Sequence, residues 1–207
     1  MKVNLVNVRL QVPLLEWAPR RLVLALLGDS LLVKLRPEQF EGEVRVSNKR
    51  YFALGGEWDK CAEATAKKKT THTIMEAALA GQGSELWLQQ RDKLIAWVRE
   101  KPLNRSNNWT LRTPADVDAY LDYCHELAHA VKESRLKDRD LPVGVAIGRG
   151  LRVYRTGDGR HRLSAALLTG TPLTGRVSHI HSDVLKKMPI ACVLSTLKNT
   201  ASNTAVK

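Results

Sequence analysis

Cysteine is scarce in this sequence, and its placement argues against a disulfide framework. Only three cysteines occur among 207 residues, Cys61, Cys124 and Cys192, and no two of them form a CxxC pair. An odd number of widely spaced cysteines is typical of a reducing compartment, and it also argues against a zinc ribbon. We therefore expect a cytoplasmic protein.

Long apolar runs are also missing. The stretch MKVNLVNVRLQVPLLEW has no continuous apolar region followed by a small-residue cleavage site, so we expect no signal peptide. The most apolar stretch, LVLALLGDSLLVKL at residues 22–35, is interrupted by Gly28 and Asp29 and is too short to span a bilayer. We expect no membrane partner and interpret this stretch as two buried strands joined by a tight turn.

Acidic residues are few compared with basic ones. The chain has 33 Lys and Arg against 21 Asp and Glu, a formal net charge of +12, which attracts polyanions. The charge is spread along the chain, and only AKKKT at residues 66–70 forms a run. Nucleic acid is therefore a candidate partner, although solvated surface lysines explain the same composition.

Three widespread enzyme signatures do not occur. The sequence has no GxxxxGK[ST] phosphate-binding loop, no GxGxxG dinucleotide fingerprint and no GxSxG nucleophile elbow. These absences argue against a P-loop nucleotidase, a Rossmann-type dehydrogenase and an α/β-hydrolase.

The residue pattern changes along the chain. Residues 1–60 hold short Val- and Leu-rich runs bounded by turn residues, whereas residues 61–140 show helical periodicity. Residues 141–190 predict strand, strand, loop, helix and strand. The end of the chain, KNTASNTAVK, is small and polar, and we predict a flexible tail over residues 191–207. We predict a single α+β domain over residues 1–190, in which a small mixed β-sheet carries a helical insertion.

The segment RTGDGRHRLSAALLTG, residues 155–170, combines a glycine turn with an Arg-His-Arg triplet at the start of a predicted helix. Gly157 and Gly159 allow a tight backbone turn. The first turn of the helix has unpaired N–H groups and the positive end of the helix dipole, where phosphates bind. The triplet adds donors, and Arg can bind a phosphate through two parallel hydrogen bonds. The segment therefore predicts a phosphate-binding site.

Asp158 is the exception in this segment, because it is an acid within a cationic loop. It would suit a magnesium ion or a substrate hydroxyl group. The alternative is a surface turn in which Asp158 forms salt bridges with its neighbours.

The same segment resembles the signature of the ParB/sulfiredoxin superfamily, in which a glycine turn precedes His-Arg at the start of a helix. The predicted order strand, strand, loop, helix, strand over residues 141–181 fits this resemblance. GGEWD at residues 55–59, VAIGRG and VSHIH extend it over about residues 35–185, in likeness to a ParB-like group from viral and microbial genomes. The resemblance implies a sheet of the ParB/sulfiredoxin type.

The resemblance also implies that the loop binds a nucleotide. Sulfiredoxins bind ATP there, partition ParB proteins bind CTP, and free-serine kinases use ADP or ATP. Matching by position assigns Gly159, Arg160, His161 and Arg162 to the phosphate-binding segment, and Gly157 and Ser164 complete the predicted set of cofactor-binding residues.

Differences within the superfamily narrow the implied activity. Sulfiredoxins carry a catalytic cysteine just before the His-Arg pair, where this sequence has Arg160, so we do not expect sulfiredoxin activity. Free-serine kinases carry Asp-Gly there, as this chain does, which implies phosphoryl transfer from ATP or ADP with Mg²⁺. Asp158 and His161 would be catalytic, with Asp158 also holding the metal. Candidates for the further catalytic carboxylate of the kinases are Glu38, Glu57 and Asp59.

HELAH at residues 125–129 matches the H-E-x-x-H pattern, in which two histidines of one helical face bind zinc. Here His125 and His129 share their face with charged residues, which we interpret as solvated. A solvated face argues against a zinc site, so a zinc-dependent hydrolase with Glu126 as its base is kept only as an alternative. Another is a nucleic-acid-binding protein or nuclease that uses the basic surface.

Two further patterns carry candidate residues. His179 and His181 alternate on a predicted strand and so point to the same face, where they reach a ligand, hold a metal or are plain surface groups. In GGEWD, Glu57 and Asp59 are candidate ligands or bases, although a turn that anchors Trp58 in the core explains the motif more simply.

Overall fold

The structure, a computed structural model, describes residues 18–46, 50–60, 70–105, 109–136, 142–157 and 159–203. Residue contacts divide the chain into two compact units. The sheet unit comprises Met1–Thr65, Lys137–Gly159 and Pro172–Lys207, and the helical unit comprises Ala66–Leu136 and Arg160–Thr171. The predicted single domain over residues 1–190 stays a prediction.

The described residues form a mixed α and β structure with seven α-helices and eight strands, which agrees with the predicted α+β class. Three short 3₁₀ turns lie at Gly28–Leu31, Pro37–Gln39 and Arg149–Leu151. In chain order the helices and strands are α1 (Arg20–Leu27), β1 (Leu32–Leu35), β2 (Phe40–Glu43), β3 (Ala53–Leu54), α2 (Thr70–Ala80), α3 (Glu85–Glu100), β4 (Leu103–Asn104), β5 (Thr110–Leu111), α4 (Pro114–Lys132), β6 (Val143–Ile147), β7 (Val153–Arg155), α5 (Arg160–Thr169), β8 (Leu173–His181), α6 (Ser182–Lys187) and α7 (Ile190–Asn203).

Six strands of the sheet unit form one mixed sheet in the order β1-β8-β6-β7-β2, and β3 also pairs with β8. Strands β3 and β6 run parallel to β8, β1 runs antiparallel to β8, and β7 runs antiparallel to β6 and parallel to β2. Only four residues join β1 to β2, although these strands lie at opposite ends of the order. That link spans at most about 17 Å and five flat strands span about 19 Å, so the sheet must curl.

The core of the sheet unit lies along the central strands. Apolar side chains of β1, β6 and β8 are fully buried there. The sequence of β6, VGVAI, is typical of a strand covered on both faces, whereas β1 alternates and exposes Lys34. The core residues of these strands are Val33, Leu35, Val143, Val145, Ala146, Ile147, Val177 and Ile180.

The helical unit consists of α2 to α5 and the short antiparallel pair β4–β5. Its helix starts follow from local capping, since the Ser84 hydroxyl accepts a hydrogen bond from the Trp87 N–H at the start of α3. At the start of α4, Thr113 and Asp116 form a capping box and Pro114 occupies the first turn. The helical pattern predicted for residues 61–140 is confirmed within the described part of that range.

The structure corrects the prediction for residues 22–35. The first half is helix α1 rather than a strand, and only Leu32–Leu35 forms the predicted strand. A short apolar run fits a buried strand and a helix equally well, so the sequence does not separate them. In α1 only Val23 is buried, whereas Leu22 and Leu26, one turn apart, are more than half exposed.

The predicted flexible tail is also corrected. Helix α7 covers Ile190–Asn203, where the sequence predicted flexibility from residue 191. Val193, Leu194 and Leu197 lie on one face of this helix and are buried, because α7 packs against β1. Residues 204–207 lie outside the described part of the chain.

Smaller differences concern the strand-rich region. Val44 and Val46 are buried but lie beyond the end of β2, so the strand is shorter than its apolar pattern. The predicted strand within residues 1–17 lies outside the described residues. In the ranges that the structure describes, none of the helices combines the length and the apolar character needed to cross a bilayer.

Candidate functional site

The predicted phosphate-binding segment begins with a buried ion pair. Arg155, the last residue of β7, is 1% exposed, and its guanidinium pairs with the carboxylate of Glu43 at the end of β2. The two residues are direct neighbours in the pairing of β2 with β7. A buried charge is tolerated only when it is paired and hydrogen-bonded, so this pair fixes the end of β7 against β2.

Arg155 also sets the direction of the first peptide groups of the loop. Its Nη1 donates to the carbonyl oxygens of Thr156, at 2.6 Å, and Gly157, at 2.9 Å. Because C=O and N–H point in opposite directions in a trans peptide, the Gly157 N–H is directed away from the guanidinium. The Thr156 N–H donates to the Gly144 carbonyl at 2.9 Å and ties the loop to β6. A loop amide held in this way is suited to donate to an anion.

Gly159 closes the loop in a conformation that favours glycine. Its φ is 84°, and a Cβ added there would lie 2.9 Å from Cγ2 of Val143. The tight turn that the sequence predicts is therefore present at Gly159, where both backbone angle and space favour glycine, whereas Gly157 shows neither feature. Asp158, the predicted catalytic residue and metal ligand, lies outside the described residues.

Helix α5 starts directly after the loop and carries the basic triplet in its first turn. Arg160 and Arg162 are partly buried, and both retain access to solvent. Ser164 is fully buried, and its hydroxyl has no hydrogen-bond partner among the described residues. Arg160 and Arg162 are therefore better placed than Ser164 to reach a phosphate in solvent.

His161 points into the helical unit. Its side chain is buried, and Nε2 lies 2.7 Å from the hydroxyl oxygen of Tyr120 on α4. Burial raises the pKa of Tyr120, so this hydroxyl stays protonated at neutral pH. The hydrogen bond occupies Nε2 and fixes the first turn of α5 against α4, which makes His161 a positioning residue for this turn.

A second cluster lies after β6, where Arg149 binds two acids. Asp59 is buried and accepts hydrogen bonds from the main-chain N–H of Arg149, at 2.8 Å, and from its Nε, at 3.0 Å. Glu57 is exposed and accepts from Nη1 of Arg149 at 2.9 Å. Burial raises the pKa of Asp59, but the hydrogen bonds from Arg149 outweigh this and bring it to about 2. Both acids thus bind Arg149, Asp59 from a buried position and Glu57 from an exposed one.

Glu57 and Arg149 show matching effects of this pairing. Hydrogen bonds from Arg149 and Lys60 lower the pKa of Glu57 to about 2, and those from Asp59 and Glu57 raise the pKa of Arg149. All members of the cluster are therefore charged at neutral pH. A carboxylate with so low a pKa is a poor general base, which argues against this role for Glu57 and Asp59.

His181 borders the same cluster and is almost fully buried. Its Nε2 lies 2.8 Å from the Gly56 carbonyl, and its Nδ1 accepts a hydrogen bond from the Asp183 N–H at 3.1 Å. Since a carbonyl only accepts, Nε2 is the nitrogen that donates to Gly56. The Trp58 ring packs against His181 and Tyr154, which supports the interpretation of GGEWD as an anchored turn.

His179 is likewise buried, at 3% exposure, and its Nδ1 lies 2.9 Å from the Ser178 hydroxyl. The register pairs His179 with Ala146 and His181 with Leu54, and both partners belong to one buried cluster. The two histidines therefore share a face, as their spacing predicted. The interpretation as plain surface groups is wrong, because both side chains are buried.

The register separates the loop from the Asp59 cluster. Gly144 bonds to the start of the loop, whereas a Cβ on Gly148 would lie 2.9 Å from the Cβ of Asp59. These glycines are four residues apart along β6, which corresponds to about 13 Å. The sheet therefore does not bring Asp59 to the loop. Glu38 is exposed in the 3₁₀ turn between β1 and β2.

The HELAH histidines lie between helices rather than on a fully solvated face. His125 is half-buried, its Nδ1 bonds to the Ala78 carbonyl at 2.8 Å, and its ring meets the edge of Trp87. The His129 ring packs against that of His125, with 4.4 Å between ring centres and 57° between the ring planes. Among the residues that the structure describes, no three His, Cys, Asp or Glu side chains are grouped to hold a metal ion. A zinc-dependent hydrolase thus has no ligand set in the described ranges.

Sequence reasoning missed Arg155, Glu43 and Arg149. A signal for Arg155 exists, because it alternates with Val153 on a strand whose other residues are apolar, and a charge on a core face needs a partner. Arg149 stands between two glycines directly after a buried strand. Their partners, Glu43 and Asp59, could not be predicted, because strands far apart in the sequence bring each pair together.

Comparisons with family models, with curated proteins and with solved structures give no significant match to this chain.

Proposed function

We propose that the segment from Gly157 to Arg162 binds the phosphates of ATP or ADP, and that the protein transfers a phosphoryl group to a hydroxyl acceptor. The observation that carries the proposal is the loop held by Arg155. Its guanidinium donates to the carbonyl oxygens of Thr156 and Gly157 and so directs the Gly157 N–H away from the core pair. A pre-oriented amide donor avoids the entropy cost of ordering the loop around an anion.

The neighbouring residues fit a phosphate group. Gly159 leaves no room for a side chain beside Val143, so the backbone alone leads into α5. Arg160 and Arg162 follow in the first helical turn, where helix N–H groups have no intrahelical acceptor. Two guanidinium groups and main-chain donors form the set that binds phosphate in other proteins.

The roles within the segment follow from these positions. Arg160 and Arg162 hold the phosphate oxygens and offset charge that develops during transfer. His161 does not contact phosphate through Nε2, which Tyr120 occupies, but keeps the first turn of α5 in place. Mg²⁺ bound to the nucleotide neutralises phosphate charge, and Asp158 is the carboxylate that would hold the metal or orient the acceptor.

Binding is tested by a thermal-shift screen of ATP, ADP, CTP and GTP with Mg²⁺. We expect ATP or ADP to raise the melting temperature of the wild type, and Arg162→Ala to lose most of this shift. Arg99→Ala is the matched control, since it removes the same charge from an exposed position on α3. If no nucleotide stabilises the wild type, or if both variants respond alike, nucleotide binding by this segment is refuted.

Transfer is tested separately with water as the acceptor. The wild type is expected to release phosphate from ATP slowly, and Asp158→Asn is expected to retain nucleotide binding while turnover falls at least about 100-fold. ³¹P NMR follows ADP and phosphate together. Equal turnover by the variant would refute the role of Asp158, and binding without turnover in the wild type would refute transfer to water.

A further inference from the structure

Three parallel strands of the sheet unit end at the same edge. Strands β3 and β6 both run parallel to β8, and they end at Leu54, Ile147 and His181. Ligands of open α/β sheets bind at the carboxyl ends of such strands, because the segments that follow diverge and leave a crevice. The loop from β7 leaves from the opposite edge, since β7 runs antiparallel to β6.

The three segments that follow these strands contact one another. The segment after β3 meets the end of β8, since His181 Nε2 donates to the Gly56 carbonyl at 2.8 Å. It also meets the segment after β6 through the bonds between Arg149 and Asp59. A Cβ on Gly55 would lie 3.4 Å from the Ser182 hydroxyl at the start of α6. The edge is therefore a packed structure with fixed side chains.

A shallow pocket of about 230 Å³ opens at this edge. Its volume suits a small ligand better than a drug-sized one. Three of its side chains are cationic, one is acidic, and a buried valine contributes apolar surface. The lining residues are Arg149, Gly150, Asp183, Val184, Lys186 and Lys187.

Arg149 is held in place by its buried partner. Asp59 accepts from the main-chain N–H, Nε and Nη2 of Arg149, so the guanidinium plane is fixed from one side. Glu57 binds the remaining Nη1 but is exposed and shared with Lys60. Exposed ion pairs contribute little, so an anion in the pocket can compete with Glu57 for Nη1.

The lysines of α6 complete the cationic side. Lys186 and Lys187 are exposed, and Lys186 approaches Asp183 at 3.5 Å, a surface pair one turn apart. A phosphate monoester carries nearly two negative charges and three acceptor oxygens. Such a group matches one fixed guanidinium and two exposed ammonium groups better than a carboxylate ligand does, since a carboxylate carries one charge and two oxygens.

From this convergence we infer a second binding site, for a small phosphate-bearing anion, at the edge where β3, β6 and β8 end. It goes beyond the proposed nucleotide segment, because it uses different residues at the opposite edge of the sheet. The anion binds Arg149 and the two lysines, and Glu57 acts as its competitor.

The experiment titrates inorganic phosphate and glycerol 3-phosphate by calorimetry at constant ionic strength. The background is Arg162→Ala, so that the proposed nucleotide segment contributes little. We expect saturable binding of one anion per chain, and at least about tenfold weaker binding when Lys186→Ala and Lys187→Ala are added. Glu57→Gln is expected to bind about threefold more tightly, because the competing charge is removed while Asp59 still holds Arg149.

The control pair is Lys101→Ala with Lys132→Ala, two exposed lysines of the helical unit that remove the same charge. These substitutions are expected to change the affinity by less than about twofold. The inference is overturned if no saturable binding occurs, or if the control pair weakens binding as much as the α6 pair. Equal affinity for succinate would overturn the assignment to phosphate. If phosphate binds as expected but no nucleotide stabilises the wild type, this second site is supported and the proposed nucleotide segment is refuted.

Discussion

Arg155, paired with Glu43 in the core, orients the first peptide groups of the loop that follows it. Both side chains are buried and paired, and removing one partner from such a pair costs about 3–5 kcal/mol, because the other charge stays buried. The intact pair nevertheless adds little net stability compared with apolar residues, because burying both charges costs about as much as their attraction returns. Its visible effect is local, since Arg155 holds the two carbonyls that start the loop.

The two loop glycines differ in a way that mutation can test. Gly159 has a φ of 84°, and a Cβ would lie 2.9 Å from Val143, whereas a Cβ on Gly157 meets no atom within 4 Å. We expect Gly159→Ala to lower the free energy of unfolding by about 1–3 kcal/mol, from strain and overlap. Gly157→Ala is the control and is expected to change it by less than about 0.5 kcal/mol.

Urea unfolding monitored by circular dichroism measures both values. If the two variants are equally stable, the loop does not adopt the described conformation at Gly159.

Asp59 makes stability depend on pH in a defined window. The pKa of Asp59 is ordinarily 3.8 and is about 2 in the folded protein. Burial raises this pKa, but the hydrogen bonds from Arg149 together lower it by more. A lowered folded pKa contributes stability that is present above about pH 4 and is lost as the pH falls towards 2. The difference corresponds to about 2 kcal/mol.

We therefore expect Asp59→Asn to show a flatter stability curve than the wild type between pH 4 and 2. Glu57 titrates in the same window, but its pair is exposed and is screened in about 0.5 M salt. Urea unfolding at several pH values in that salt isolates Asp59. Parallel curves for the two proteins would contradict the assigned pairing.

Helix α7 is the element that most changes the interpretation of the chain. Leu197 is 3% exposed on its buried face, whereas its neighbour Lys198 is exposed. We expect Leu197→Ala to lower the free energy of unfolding by about 2–5 kcal/mol, because it leaves a cavity against β1. Lys198→Ala is the matched control in the same turn and is expected to have little effect.

Equilibrium unfolding in urea distinguishes the two cases. A loss below about 0.5 kcal/mol for Leu197→Ala would mean that residues 190–203 behave as the flexible tail that their composition suggests.

Elements with a local signal were predictable, and those without one were not. The start of α4 follows from Thr113, Pro114 and Asp116, which specify the cap wherever the helix packs. The start of α1 has no such signal, because Pro19 provides no side-chain cap and the apolar run that follows fits two structures. Composition also gave no signal for α7, because its polar end masks the apolar face formed by Val193, Leu194 and Leu197.

The candidate site divides in the same way. Gly159 and the basic triplet were predictable, because a loop and the helix after it are contiguous in the sequence. The bond between Glu57 and Arg149 joins residues 92 positions apart, and only strand order brings them together. The sequence could suggest Glu57 and Asp59 as acids of interest, but not that Arg149 would occupy them.

For the molecule as a whole, the net charge of +12 leaves two kinds of ligand to separate. A nucleic-acid complex releases one counterion for nearly every phosphate neutralised, so its affinity falls steeply with salt. The affinity for a small nucleotide, bound by a few directional hydrogen bonds at one segment, falls much less with salt. The nucleotide proposal therefore predicts shallow salt dependence despite the basic surface.

The most direct test is calorimetric titration of ATP with Mg²⁺ into the wild type, Arg162→Ala and Arg99→Ala. If residues 157–162 form the phosphate site, we expect saturable binding of one nucleotide per wild-type chain. We also expect at least about tenfold weaker binding for Arg162→Ala and unchanged binding for Arg99→Ala. Absence of binding to the wild type, or equal affinity of Arg162→Ala and the wild type, would contradict this assignment.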